Sequence, residues 1–335
     1  MVSAGQEDSQ VEKIRDLRKA RSTPTSRQIS QGNGRNALSS PKIGARHLGR
    51  PTVSVIIPTL NEADNLPLVL PYLPLNWIDE VILVDGRSTD GTIDVARRLL
   101  PSVRVVMESR PGKGAAMWAG YKASSSDVLV VLDADGSHDP REIPRFVQAL
   151  MQGADLVKGS RFTVGGGTTD MPRIRKLGNS AFVFLVNLLW GTTWTDLCYG
   201  YHAFWRHCLD VLDLSDVDGF EIDTALYVEA ARWQLRVTEV PSFEGYRFHG
   251  VGKLKTIPDG FRVLKTIGRE WWRAMKQPRR RPYLGFRGSL PITPDWETFL
   301  LPGPGVSTVL TAAEAHPLDQ ATDETRPKVW RRVRA

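Results

Sequence analysis

Two carboxylates one residue apart, Asp133 and Asp135, close the apolar run Val128-Leu129-Val130-Val131-Leu132. A buried parallel strand delivers the residues at its carboxyl end to the edge where open α/β sheets collect ligands. Carboxylate oxygens are what hard divalent cations take, so Asp133-Ala134-Asp135 is a candidate site for a metal ion that holds a diphosphate. Taken alone, such a pair is more often a solvated turn after a strand, and the surroundings must decide between the two readings.

The surroundings converge. Pro58-Thr59-Leu60-Asn61-Glu62 follows the apolar run 53–57, and Asp85 follows the run 81–84. Parallel strands would bring these groups to the same edge as Asp133 and Asp135. Gly112-Lys113-Gly114 opens a helical pattern, where a small-residue turn and a cation can approach a nucleotide or its phosphates. Each has a plainer role: Asn61 as a helix cap, Asp85 and Asp90 as turn and cap residues, the glycines as an ordinary turn.

The elements that must position these groups alternate. Strands are expected at 53–57, 81–84, 103–107, 128–132 and 155–158, with helices at 63–73, 89–99, 113–123 and 140–151 between them. That order predicts a mainly parallel, Rossmann-like α/β sheet with helices on both faces. No G-x-G-x-x-G follows the first strand and no G-x-x-x-x-G-K-S/T occurs, so a dinucleotide fingerprint and a P-loop both lose ground. Residues 160–275 are less regular, with helices expected at 174–189 and 223–233, and should supply the second half of a cleft.

The formal charge of +7 over 335 residues is concentrated at the ends. Residues 1–50 carry ten Lys/Arg against four Asp/Glu, and residues 276–335 carry ten against six, leaving 24 basic and 27 acidic residues in 51–275. A slightly acidic body argues against a nucleic-acid groove. The composition of 1–50 predicts a disordered basic tail, and the Pro/Arg-rich stretch from Pro278-Arg279-Arg280-Arg281-Pro282 onward a second tail, leaving 51–275 as the catalytic body. Cys198 and Cys208 form no C-x-x-C pair and no secretory signal opens the chain, which fits a cytoplasmic protein. The longest apolar stretch, 181–190, is too short to cross a bilayer. Arg173, Arg175 and Lys176 beside Phe182, Phe184, Leu188 and Trp190 would suit a core helix with one edge on the inner membrane face.

In this order, Pro58–Glu62, Asp85 with Ser88 and Asp90, Gly112–Gly114, Asp133–Asp135 and Gly159-Ser160-Arg161-Phe162 resemble family 2 glycosyltransferases over roughly residues 52–270. The resemblance is closest to dolichol-phosphate and polyprenyl-phosphate sugar synthases, and implies the GT-A nucleotide-sugar fold. It further implies that Asp85 contacts the nucleotide base while Pro58, Asn61 and Glu62 line the nucleoside pocket. Asp133 and Asp135 would bind Mg²⁺ or Mn²⁺, with Lys113 near the donor and Arg161 facing the phosphates or sugar. Arg173, Arg247 and Lys253 would meet an acceptor phosphate, and Glu221 and Asp223 match a further acidic patch. The chain departs from the pattern at Gly86 and Arg87, at Ser137, and at Cys198, Tyr199 and His202, which replace a Thr-Ser-Gly-Phe-Arg-like segment.

These readings predict a metal-dependent, inverting transfer of a hexose from GDP-mannose or UDP-glucose to a polyprenyl phosphate. A lipid phosphate is already an anion and needs no strong base, whereas an acceptor hydroxyl on a saccharide or metabolite would depend on Glu221 or Asp223. A nucleotide-sugar-binding protein without turnover is the alternative from another class.

Overall fold

The computed structural model describes residues 50–169 and 171–276. The tails expected at 1–50 and 276–335 lie outside the described residues, apart from Arg50 and Lys276. The first half alternates as the apolar runs require: β1 (Val53–Thr59), β2 (Glu80–Asp85), α1 (Thr92–Leu99), β3 (Arg104–Met107), α2 (Lys113–Ala123), β4 (Val128–Val131), α3 (Ile143–Met151) and β5 (Leu156–Ser160). There follow β6 (Gly167–Thr168), α4 (Arg173–Trp190), β7 (His202–Trp205), α5 (Ile222–Arg232), β8 (Val237–Pro241), β9 (Phe243–Glu244) and α6 (Thr256–Lys276).

Seven strands form one sheet in the order β3-β2-β1-β4-β7-β5-β8, while β6 and β9 pair as a small parallel ribbon. All neighbours in the large sheet run parallel except β7, which is antiparallel to both β4 and β5. Successive strand residues point to opposite faces, so the continuous apolar runs feed two cores. Val53, Val55 and Ile57 of β1 pack on one side with Leu66, Phe146 and Leu150, and Ile56 on the other with Met117, Tyr121 and Leu226.

Three local features differ from the sequence expectation. No α-helix spans 63–73; the segment makes two 3-10 turns, Leu66–Leu68 and Leu70–Tyr72, each with a proline in its first turn. Pro71 would clash with the carbonyl four residues earlier in a continuous α-helix, and neither Pro67 nor Pro71 has an N–H to give. Helix α1 starts at Thr92 rather than 89, because Gly91 is left-handed (φ 85°) and Asp90 already ties the turn. Its carboxylate accepts from Thr92 N–H at 3.0 Å and Ala63 N–H at 2.9 Å. Third, β6 to β9 and α6 go beyond the sequence expectation: β7 is a four-residue strand behind an irregular loop, β8 pairs with β5, and α6 turns Val263, Thr266, Ile267 and Glu270 inward at helical spacing.

Candidate active site

The carboxyl ends of β1, β2 and β4 open into a cavity of ≈ 1080 Å³ whose far wall comes from α4, α5, α6 and the segment 244–254. Its floor is built by charge pairing. Lys113, the first residue of α2, sets its ammonium 2.9 Å from Asp133 Oδ1 and 3.4 Å from Asp223 Oδ2. Burial alone would lower the lysine, but the two carboxylates beside it hold it above its usual range. Burial would likewise raise Asp133, yet Lys113 and His138 bring it down to about 2, so it stays ionised at neutral pH. For Asp223 burial prevails over Lys113 and raises its pKa.

Asp135 has one oxygen turned to each side. Oδ1 accepts from the Ser137 N–H at 3.0 Å and hydroxyl at 2.7 Å, a local turn that fixes the rotamer. Oδ2 faces Arg247 Nη1 at 3.1 Å, and the other arm of Arg247 donates to Glu62 at 2.6 Å. The segment carrying Arg247 is itself pinned to the acid loop: Phe248 N–H donates to the Asp135 carbonyl and Gly245 N–H to that of Ser137. Lys253 donates to the Leu60 carbonyl and lies 3.6 Å from Glu62, completing a basic edge over the end of β1.

The glycines around Lys113 serve a different purpose from the one the sequence suggested. A side-chain carbon on Gly112 or Gly114 would sit 2.0 Å from the Asp218 carbonyl oxygen or 2.1 Å from that of Val217. The 217–218 backbone therefore lies directly on the start of α2, and the Asp218 carbonyl accepts the Gly114 N–H at 2.8 Å. That carbonyl occupies an amide that a phosphate would otherwise meet, leaving the Lys113 ammonium as the group this turn presents to the cavity.

The structure brings Pro58, Glu62, Lys113, Asp133, Asp135, Arg161, Asp223, Arg247 and Lys253 to the cavity wall. It places four other residues elsewhere. Asp85 is fully buried, accepting from Ser88 N–H at 2.8 Å, and Asn61 adopts φ 56° with its side chain accepting the Thr89 N–H at 2.8 Å. Both brace the loops after β1 and β2, Asp85 from within and Asn61 from the surface. Glu221 lies with its carboxyl against Gly219, one oxygen buried without a hydrogen-bond partner. Arg173 is exposed at the start of α4 and off the cavity. Arg161 lines the wall, but its guanidinium is engaged by Asp196 at 2.7 Å and Glu244 at 3.0 Å, so it braces that wall.

Arg175 stands where Arg173 was expected. Besides Ile174 at the opening, α4 turns Arg175, Gly178, Asn179 and Phe182 to the cavity, an i, i+3, i+4, i+7 set that helical periodicity could have selected. His138 is buried and accepts the Asp133 N–H through Nδ1 at 3.0 Å, stacked on Tyr201, so it shapes the acid loop. Toward the opening, Ile174, Ile257, Phe261 and Leu264 make the mouth apolar, continuing into Leu177, Phe184 and Leu188 on the outer face of α4; Phe184, Leu188 and Phe261 are each 69% exposed.

The sheet with a ligand cavity at its carboxyl edge, bearing paired acids, is the GT-A architecture, and known proteins share it. The profile described as Glycosyl transferase family 2 matches residues 54–212. Undecaprenyl-phosphate mannosyltransferase of Micrococcus luteus is 38% identical over 202 residues, covering 56% of this chain and 82% of that protein. Polyprenol monophosphomannose synthase of Mycolicibacterium smegmatis is 37% identical over 220 residues, covering 61% and 82%. Among solved structures, glucosyl-3-phosphoglycerate synthase from Mycobacterium tuberculosis, in complex with Mn²⁺, UDP-glucose and phosphoglyceric acid, superposes with a TM-score of 0.55 at 26% identity, covering 66% of this chain and 80% of that one. Fold, cavity and relatives agree: the chain belongs to glycosyltransferase family 2, and its resemblance is to the polyprenyl-phosphate sugar synthases.

Proposed function

We propose that this glycosyltransferase moves a hexose from a nucleoside diphosphate sugar to a polyprenyl phosphate at the cytoplasmic face of a membrane. The observation that carries the reading is the polarity of this cavity: a floor of Asp133, Asp135, Lys113 and Arg247 beneath a mouth of Ile174, Ile257, Phe261 and Leu264. Such a gradient suits a diphosphate below and a lipid chain above. The relatives' names supply the substrate class, mannose and a polyprenyl phosphate, and the solved neighbour was crystallised with Mn²⁺ and UDP-glucose. GDP-mannose is the donor we favour, since both of those relatives act with mannose by name.

Asp133 and Asp135 fit a divalent ion. Among the described residues no cluster of three or more His, Cys, Asp or Glu gathers as a ligand set, so the protein offers two carboxylates and the diphosphate oxygens would complete the shell, as is usual for Mg²⁺. Both carboxylates already face cations, Lys113 and Arg247, which stand in for the positive charge this donor set attracts. When bound, the ion would neutralise charge that develops on the leaving diphosphate.

The chain's own groups then act around it. Lys113 holds positive charge beside the diphosphate, and Arg247, once it leaves Asp135, can take a phosphate oxygen. Arg175 and Lys253 bring two more cations to the acceptor side. An acceptor phosphate oxygen would attack the anomeric carbon as its bond to the diphosphate oxygen breaks, with inversion. Among the described residues no helix is long and apolar enough to cross a membrane, and the exposed apolar edges of α4 and α6 beside Lys176 and Arg262 suit peripheral contact with lipid.

One observation favours a second reading. Asp223 reaches the cavity with a raised pKa, so it could accept a proton from an acceptor hydroxyl, as on a phosphorylated metabolite. Calorimetry with GDP-mannose and UDP-glucose, with Mn²⁺ and with chelator, followed by transfer assays to polyprenyl phosphate in vesicles and to soluble acceptors, tests both. Metal-dependent binding of GDP-mannose and a lipid-extractable product are expected. Turnover confined to soluble acceptors would replace the first reading by the second, and binding without any turnover would leave a nucleotide-sugar-binding protein.

A further inference from the structure

Behind the cavity floor lies a buried polar chain that the proposed reaction does not by itself use. His202, in β7, is wholly buried among Tyr121, Phe204 and Tyr227. Its Nε2 is 2.9 Å from the Tyr121 hydroxyl. Its Nδ1 lies 3.7 Å from Asp223 Oδ1, and both of those atoms are buried without a hydrogen-bond partner. Two orphaned polar atoms facing each other in a dry site are costly apart, and a slight rotation of either ring or carboxylate would join them.

We propose that His202 is a positioning residue: its Nδ1–H holds Asp223 Oδ1 so that Oδ2 stays turned to Lys113 at the cavity floor. The chemistry of the neighbours selects the tautomer. A neutral imidazole has one donor and one acceptor nitrogen, so a Tyr121 hydroxyl that donates to Nε2 leaves the proton on Nδ1, facing the carboxylate. Burial holds the ring neutral, with its pKa lowered to about 3. The separation of 3.7 Å is of the kind that closes when substrate tightens a site. The line Tyr121–His202–Asp223–Lys113–Asp133 thus ties α2, β7, α5 and the end of β4 into one support for the donor cation pair. This role rests on the cavity being the transfer site.

The test has two independent readouts. ¹⁵N-histidine NMR of the full-length protein, with the His202 signal assigned by its absence in His202→Asn, is expected to show the Nδ1–H tautomer; an Nε2–H tautomer overturns the proposal. In transfer assays His202→Leu should lose about 10- to 100-fold in kcat with donor binding weakened alongside it, and His202→Asn, whose amide can place a donor near Nδ1, should recover most of both. A Leu variant with parental kcat, or an Asn variant no better than Leu, overturns it as well. Absence of transfer by the parent protein would count against the proposed function, while the tautomer would still decide the role of His202.

Discussion

Arg247 Nη1 stands 3.1 Å from Asp135 Oδ2 while the Nη2 of the same side chain holds Glu62 at 2.6 Å. One guanidinium from the segment before α6 therefore closes the second acid of the pair and the end of β1 together. Under the proposed function, donor entry would exchange that partner, and Arg247 would then couple occupancy of the cavity to the position of residues 245–253.

Asp135→Asn keeps the Ser137 turn but removes the charge that a divalent ion and Arg247 both seek. Metal-dependent donor binding by calorimetry should disappear, and transfer should fall by about 100-fold or more. Parental binding and turnover in this variant would exclude Asp135 from the metal site.

Removing Arg247 strands a buried carboxylate, because Glu62 then keeps Asn65 and the distant Lys253 as partners. Arg247→Gln should cost about 2 kcal/mol in urea unfolding, the worth of a charged hydrogen-bonded pair. Excess divalent metal and donor should stabilise the variant less than the parent, since the cation that would meet the phosphate is gone.

Glu142 carries a pH signature in stability. Burial, with nearby Asp139, pushes its carboxyl from 4.5 up to about 7 against the hydrogen bonds it receives from Ser242 and the Phe243 backbone. Its folded-state pKa is above the unfolded value, so between about pH 4.5 and 7 the folded state binds more protons and stability falls as pH rises. The loss attributable to this group is about 3 kcal/mol. Urea midpoints measured from pH 4.5 to 8 should fall less steeply in Glu142→Gln, and an unchanged slope would remove Glu142 from the account.

Gly114→Ala puts a methyl group 2.1 Å from the Val217 carbonyl oxygen. The contact must open, at a cost of about 1–3 kcal/mol for overpacking. Since Lys113 is the preceding residue, donor affinity should fall in the same variant, measured by calorimetry beside a thermal melt.

The outer face of α4 gives a check on lipid contact that leaves the cavity intact. Leu177→Asp with Leu188→Asp should abolish co-sedimentation with anionic vesicles while donor binding stays at the parental level. Vesicle binding that survives both changes would move the membrane surface away from this face.

Much of the first half was legible because its central strands are buried on both faces and read as nearly continuous apolar runs ending in polar residues, as at 53–57, broken only by Ser54, and at 128–132. The placement of Asp133, Asp135 and Lys113 around one cavity followed from that register. Asp85 and Asn61 did not reach the wall, because turns can recruit the same side chains through short-range hydrogen bonds that spacing does not reveal. Helical periodicity groups Arg175 with Gly178, Asn179 and Phe182 on one face of α4, but that this face rather than the Arg173 face meets the cavity depends on where α6 packs, and no motif in the sequence marks α6. Strand β7 is four residues long and begins at a histidine, too little signal to mark a strand inside a sheet.

The insertion of β7 has a consequence for how the molecule is made. Among the described residues β5 pairs with β7 and β8, both later in the chain, so on a ribosome it emerges before its sheet neighbours and must wait for the long α4 and the loop behind it. Strands β3-β2-β1-β4 can assemble first from local crossovers, and the second half docks onto them late, with the apolar surface of α4 open to solvent in the interval. A newly made chain should thus depend most on chaperones during synthesis of residues 160–241, before β7 and β8 seal the sheet.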